Sequence, residues 1–446
     1  MKDRTYIGEL GTHIGESVTI AGWVDVARNQ GKLIFLDLRD MGGLVQAVVL
    51  PASAAFDAAK DVKQMYVVAA TGVVNKRPEK NINPEKQNGD IELKIESLTI
   101  LGKAHSMPFD LDAEIHLETH LDNLPLTLRT QRSRDIFKMQ ATILDEYRKS
   151  LQSQGFHEFI APSLVGGDSE GAGATFRVEY FKEKSAYLSV SPQLYKQIMV
   201  GPFERAFTVA KIFRAEKSAT TRHLSEATCL DFEMGFIDDE REPMAILERA
   251  IKDTVTAIRE IHSDMFARFN TSLPLVPNEI PVLTLEEALN TLGAPQEPDL
   301  EPEQERAICA WAKEQKQSDF IFITRYPTKK RAFYTYEDPS EAPLSRGFDL
   351  LFRGLEINSG AQRVHDYDML VARMKERGLD PARFSFYLQA FKYGMPPHGG
   401  SSTGLERFTA RMLELPNVKE ATAFPRDMTR IDSRLSEAPE FESNTQ

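Results

Sequence analysis

The strongest constraint on the fold is the crowding of strand signals between residues 16 and 103. Val18–Val26 alternates around Val18, Ile20, Val24 and Val26. Leu33–Leu38 and Leu44–Leu50 follow, split by the turn Met41-Gly42-Gly43, and then come Met65–Val74 and Ile91–Ile100. Five strands in under a hundred residues predict a small β-barrel, and the oligonucleotide-binding (OB) barrel is the five-stranded one. Such barrels take single-stranded nucleic acid on an aromatic platform with polar groups on one sheet face. Arg28-Asn29-Gln30, Lys32, Phe35 and Gln46 would supply those parts. Phe35 also reads as plain core, because it sits inside an apolar run, and the barrel by itself leaves the two readings even. Lys76–Asp90 is a polar loop rich in turn residues.

With 446 residues the chain has room for two or three domains. A 41% apolar and 27% charged composition is that of a soluble globular protein. The net charge of −12 excludes a generic basic nucleic-acid binder and leaves room for a local basic face. Cys229 and Cys309 are too few for a disulfide framework or a zinc site, so a reducing cytoplasm fits. Met1–Thr5 lacks the apolar run of a signal peptide, and no stretch approaches membrane-spanning length. The expectation is a cytoplasmic, soluble protein.

After the barrel, residues 104–130 read as a linker holding Pro108 and Pro125. A helix follows, with Ile136, Met139, Ile143, Tyr147 and Leu151 at three- and four-residue spacing and Gly155 as its stop. Phe156–Pro162 reads as a strand. The glycine-dense Ser163–Thr175, with Asp168, Ser169 and Glu170, reads as a mobile loop over a site or a flexible linker. Tyr187–Val190 and the helical Gln193–Val200 lead into Lys211–Gly235. That stretch puts Arg214 and Glu216 after an apolar run, then Thr220-Thr221-Arg222-His223, then the alternating Asp231-Phe232-Glu233-Met234. The pattern predicts strand, polar loop, strand. Arginines so placed would bind several polyphosphate oxygens through their planar forks, although spacing alone favours a surface hairpin with solvated charges.

Pro243–Met265 is an amphipathic helix with Ile246, Ala250, Val255, Ile258 and Ile261 on its apolar face. The proline-rich, charged region at about 262–330 reads as an insertion, with helices at Leu285–Thr291 and Pro302–Glu314. Strands are expected at Asp319–Thr324, Ala332–Thr335 and Gly347–Leu355, the last carrying Asp349 and Arg353. Glu356–His365 brings a second cluster of acid, hydroxyl and arginine. A helix near Tyr367–Arg377 precedes Pro396–Arg407, whose small residues let backbone approach a ligand before another helix begins.

Three of these segments resemble, in order, the signature motifs of class II aminoacyl-tRNA synthetases. They are the helix and strand ending at Pro162, Phe213-Arg214-Ala215-Glu216 with Arg222-His223, and Gly404-Leu405-Glu406-Arg407. An OB barrel before them marks the aspartyl, asparaginyl and lysyl subgroup. Ser191-Pro192-Gln193-Leu194-Tyr195-Lys196-Gln197 and Phe424-Pro425-Arg426-Asp427 are similar to the compact archaeal and eukaryotic aspartyl type.

The resemblance implies an α+β chain with an OB-fold anticodon domain at 1–103, a hinge at 104–130 and a catalytic domain at 131–446, an antiparallel sheet flanked by helices. It implies a homodimer with Pro162 and the helix before it at the interface. It also implies two reactions: aspartate attacks the α-phosphate of ATP, and the aspartyl group then passes to the 3′ end of tRNA(Asp), with tRNA(Asn) an open second acceptor.

Carried over by position, Arg214 and Arg407 are the catalytic arginines. Glu216, Arg222, His223, Leu224, Glu356 and Gly404 join them around ATP, and Asp349, Glu356 and Ser359 match the Mg2+ ligands. Ser169, Glu170, Gln193, Lys196, Asp231, Ser359 and Arg363 match the aspartate site along with Arg214. Arg28, Phe35 and Gln46 match the anticodon face. Lys196 favours aspartate over asparagine, because a neutral amide would leave the ammonium without a counter-charge. The remaining alternatives are an asparaginyl enzyme, a tRNA-independent amide ligase and an inactive tRNA-binding paralogue. Two positions depart from the pattern. Ala227 stands where many relatives have a phenylalanine under the adenine, and Ser401-Ser402-Thr403 replaces a glycine-rich run.

Overall fold

The structure is a computed structural model that describes residues 3–431 apart from 85, 112, 168–173 and 217–219, with the backbone alone at 183. Ser169 and Glu170 therefore lie outside the described residues. The chain divides into two compact units, Met1–Ala113 and Glu114–Gln446. No described helix is long and apolar enough to cross a membrane.

In the first unit β1 (Ser17–Asn29), β2 (Ile34–Asp40), β3 (Gly43–Val49), β4 (Val67–Lys76) and β5 (Ile91–Gly102) close a barrel in the order β1-β2-β3-β5-β4. Period-2 alternation drives the closure. Ile20, Val24, Leu36, Leu38, Val45, Ala47, Val68, Val74, Leu93 and Ile95 fill the interior, and closure leaves no bare edge. At Gly22 a Cβ would lie 2.1 Å from the Arg39 carbonyl oxygen, so only glycine lets β1 and β2 approach so closely there.

The second unit begins with two short helices, Leu117–Asp122 and Leu124–Thr127, inside the stretch read as a linker. Pro125 opens the second of them, where a missing N–H costs nothing, instead of breaking it. The helix Gln131–Ser153 follows, capped by the Thr130 hydroxyl. Next come β6 (His157–Glu158), far shorter than expected, and a small sheet of β7 (Leu164–Val165), β8 (Arg177–Glu179) and β9 (Ser185–Leu188) in the order β7-β9-β8. The helix Gln193–Phe203 leads into β10 (Arg205–Phe213) and β11 (Glu226–Gly235), an antiparallel pair as the sequence predicts. The helix Arg241–His262 buries Leu247, Ala250, Ile251, Val255 and Ile258, whereas Ile261 is exposed because the buried stripe runs through Leu247 and Ile251.

Beyond it lie β12 (Val282–Thr284), the helices Leu285–Thr291 and Pro302–Lys316, β13 (Phe320–Thr324), β14 (Gly347–Phe352), β15 (Leu355–Arg363) and β16 (His398–Gly404). Among the described residues these form one eight-stranded sheet, β12-β13-β14-β15-β16-β11-β10-β6. The stretch read as an insertion is thus built into the sheet, with β12 parallel to β13 at its edge. Gly347–Leu355 is not one strand. Arg353 (φ 47°) and Gly354 (φ 79°) turn the chain, and β15 runs back from Leu355. Ala332–Thr335 is not a strand either, and Thr335 makes one bridge to Arg363. Its neighbours Phe333 and Tyr334 are both buried in one cluster with rings 5.1 Å apart, which period-2 alternation does not allow.

Alternation along β11 makes the two faces of the sheet different. Leu230, Phe232 and Met234 join the core shared with Gln131–Ser153 and Arg241–His262. Cys229, Asp231 and Glu233 turn to the opposite face.

Candidate active site

On that opposite face lies a cavity of ≈ 360 Å³ whose lining includes Arg214, Arg222, Arg331, Arg363, Arg407 and Lys330. Arg214 follows the end of β10, its N–H donating to the Ser225 carbonyl (2.9 Å). Arg222 pairs with Glu305 of the helix Pro302–Lys316. His223 shares a 2.6 Å hydrogen bond with Thr220, and burial followed by the nearby Arg407 holds its pKa below the usual imidazole range. Arg407 donates to the Glu356 carbonyl (3.1 Å). So many guanidinium groups on one concave surface suit a polyanion. Leu224, Ala227, Gly404 and Val418 add apolar or small wall, and Glu216 lines the same cavity.

Behind the wall is a buried charge network. Lys196 donates to Asp231 Oδ1 (2.7 Å) and the Ser401 carbonyl (3.0 Å), and lies 3.6 Å from Glu233. Arg363 Nε donates to Glu233 Oε1 (2.9 Å), and its Nη2 to the Gly400 carbonyl (2.9 Å). Burial raises the Glu233 pKa, but Arg363 and Lys196 more than offset it and leave the carboxyl below its ordinary range. Two buried cations with two buried carboxylates form a closed set, which such ions need in a low dielectric. Arg363 reaches the cavity, whereas Lys196 and Asp231 stand one layer behind it. Gln193 is only 4% exposed and lines the cavity, yet its Nε2 has no partner among the described residues. A buried amide donor left unsatisfied in a cavity wall marks a place for an acceptor on a ligand.

The acidic group lies farther along the sheet. Asp349 and Ser359 face each other across β14 and β15. Arg331 holds both Asp349 oxygens (3.0 and 2.7 Å) and the Ser359 hydroxyl (3.2 Å), and stacks on Tyr326 at 3.7 Å. Burial and then the nearby Asp349 push the Glu356 carboxyl up to about 7, against the pull of Arg407 and Arg331. Among the described residues no three acids, histidines or cysteines converge as a metal cage. Two carboxylates and a hydroxyl are nevertheless hard oxygen donors. By that oxygen chemistry the donor set fits a hard divalent cation that takes its other ligands from phosphate.

In the barrel, Arg28 pairs with Phe35, and Asp37 with Gln46. Period 2 along β2 then puts Arg28, Phe35, Asp37 and Gln46 on one face. Ile34 and Leu36 belong to the barrel core and Phe35 does not, so Phe35 is a half-buried surface aromatic. Asp37 sits under this face, bonded to Arg28 (3.0 Å) and 3.5 Å from Lys86.

The structure thus brings the cavity arginines, Gln193, Glu356, Ser359 and Arg363 together, keeps Lys196, Asp231 and Asp349 close behind, and leaves the barrel trio in the other unit. Sequence reasoning missed Glu233, Glu305, Arg331 and Ser402. Glu233 was legible as the same-face neighbour of Asp231. Glu305 carried no local signal.

The sequence profile described as tRNA synthetases class II (D, K and N) matches residues 116–428, and one described as OB-fold nucleic acid binding domain matches residues 18–101. The aspartate–tRNA(Asp/Asn) ligase of Thermus thermophilus is 40% identical over 96% of this chain and 99% of its own. The aspartate–tRNA(Asp) ligase of Thermoplasma acidophilum is 39% identical over 96% and 99%. Among solved structures, asparaginyl-tRNA synthetase from Pyrococcus horikoshii with asparaginyl-adenylate superposes with a TM-score of 0.89 at 31% identity, covering 97% of this chain and all of that one. Aspartyl-tRNA synthetase from Entamoeba histolytica superposes with a TM-score of 0.86 at 28% identity, covering 96% and 92%.

Proposed function

The chain belongs to the class II tRNA synthetases of the aspartate, lysine and asparagine group and is an aspartate–tRNA ligase, and on that premise we propose how its cavity divides the work. ATP lies along the arginine-lined side, with Arg222 and His223 toward the outer phosphates and Arg407 against the adenine. Glu216, Leu224, Glu356 and Gly404 complete that side. Arg214 bridges the two substrates. It holds the aspartate α-carboxylate against the α-phosphate and stabilises the charge that grows on the phosphate oxygens during attack.

Aspartate enters toward Arg363, with Lys196 behind it. The observation that carries this reading is the pair of buried cations, Lys196 and Arg363, converging on Glu233 beside the unsatisfied Gln193 amide. Lys196 already has Asp231 and Glu233 as counter-charges, unlike the unpaired ammonium expected from the sequence, so it acts on the ligand through its field. A side-chain carboxylate gains a charge-assisted bond from Arg363, and a neutral carboxamide gains a weaker one. Asp231, Ser359 and, outside the described residues, Ser169 and Glu170 belong to the same site.

Asp349, Glu356 and Ser359 would hold Mg2+, which neutralises phosphate charge when bound. Arg331 takes one lone pair on each Asp349 oxygen and leaves the others for the cation. tRNA(Asp), alone or with tRNA(Asn), meets the barrel at Arg28, Phe35 and Gln46, and two chains pair through Pro162 and the preceding helix. The test is aspartate-dependent ATP–pyrophosphate exchange. Exchange with asparagine and none with aspartate would overturn the reading, and charging of purified tRNA(Asp) and tRNA(Asn) side by side decides between the two acceptor ranges.

A further inference from the structure

We propose that Ser402 contacts the substrate directly: its hydroxyl oxygen receives the α-ammonium group of the amino acid, with Asp231 as the buried charge behind it. The inference rests on reading the cavity as the amino-acid site. Strand register sets the geometry. Asp231 of β11 pairs with Ser402 of β16, and Ser402 in turn pairs with Ser359 of β15. Directly paired residues share a face, so the three form a polar row under the cavity.

Ser402 is half-buried and lines the cavity, whereas Asp231 is fully buried and does not. A carboxylate can only accept, so the 3.1 Å contact between Ser402 Oγ and Asp231 Oδ2 uses the hydroxyl hydrogen of Ser402. The other Asp231 oxygen is taken by Lys196 at 2.7 Å. Both carboxylate oxygens are thus engaged, and the serine lone pairs are the negative end that the network presents to the cavity.

Polarisation by the carboxylate strengthens Ser402 as an acceptor. The neighbouring Ser359 hydroxyl already accepts from Arg331, and the unsatisfied Gln193 nitrogen is a donor that repels an ammonium. With Ser359 committed to Arg331 and to the metal side of the cavity, Ser402 is the hydroxyl left for the ammonium. It lies among arginines that suit the carboxylates of the same ligand.

The test is equilibrium binding of L-aspartate and of succinate, the same diacid without its ammonium, to the full chain and to Ser402→Ala and Ser402→Gly. ATP binding is measured on each variant to show that the cavity is intact. A charge-assisted hydrogen bond predicts roughly a tenfold to hundredfold loss for L-aspartate. Succinate should stay within about twofold, as expected for a ligand without the contacted group. Equal losses for both ligands, or an unchanged L-aspartate affinity, would overturn the proposal. If the wild-type chain binds asparagine and not aspartate, the aspartate reading falls. Asparagine against succinamate then decides Ser402 by the same criterion.

Discussion

Arg222 and Glu305 lie 83 residues apart in sequence and form an ion pair at the cavity wall. If Arg222 serves the outer phosphates, Glu305 competes with them, because it takes one arm of the guanidinium and offsets its charge. Glu305→Gln is expected to tighten ATP and pyrophosphate binding several-fold, in line with a partly exposed pair worth on the order of 1 kcal/mol, and to leave AMP unchanged. Calorimetric titration of the three ligands checks it, and an equal effect on AMP would rule the competition out. Lys196 is a different case, because it is fully buried between two carboxylates. Lys196→Ala leaves Asp231 and Glu233 with one cation fewer, and is expected to cost about 3–5 kcal/mol of stability as well as aspartate selectivity. Thermal unfolding followed beside exchange with aspartate and asparagine separates the two effects. Arg214→Ala is expected to lower exchange by roughly a hundredfold to a thousandfold, since the guanidinium both aligns the two substrates and meets the charge that develops during reaction.

At the scale of elements, β16 joins motif to motif. Gly400 lets Arg363 and Glu233 meet, because a Cβ there would lie 2.1 Å from the Phe232 carbonyl and 2.6 Å from Glu233 Oε2. Gly400→Ala should therefore destabilise by about 1–3 kcal/mol through overpacking and raise KM for aspartate. An unshifted denaturation midpoint would contradict it. His398 opens the same strand in a neutral chain of hydrogen bonds. Tyr387 donates to Gln197 Oε1 (3.1 Å), Gln197 Nε2 donates to His398 Nε2 (2.8 Å), and His398 Nδ1 donates to the Pro396 carbonyl (2.9 Å). Burial brings the His398 pKa down to about 4, against the pull of Glu233. Between that value and 6.5 the unfolded chain binds the extra proton. The stabilisation is therefore complete above pH 6.5 and is lost as pH falls toward 4, by up to about 3 kcal/mol. Urea midpoints at pH 7 and 5 should diverge more for the wild type than for His398→Gln, and parallel slopes would show that another group titrates.

For the whole molecule, the two units carry separate cores: among the described residues one cluster fills the barrel, and the other clusters lie within the unit of the large sheet. Amino-acid activation and anticodon binding should accordingly respond to different substitutions. Phe35→Ala is expected to raise KM for tRNA roughly tenfold to a hundredfold, the worth of one stacked base, with exchange untouched. Loss of exchange in that variant would tie the barrel to the cavity. The sequence by itself determined the barrel, the β10–β11 hairpin, the main helices and the cavity cations Arg214, Arg222, Arg363 and Arg407, because each is written in local periodicity or in a short motif. It misjudged Ala332–Thr335 and the turn at Arg353 and missed β12, where neighbours distant in sequence decide the conformation. Only the tertiary structure decided which acid each cation meets. Arg363 found Glu233 130 residues away, and Arg331 lies across Asp349 and Ser359. A buried charge must be neutralised by whatever the fold places within about 3 Å of it, and strand register, which no local pattern encodes, sets that choice.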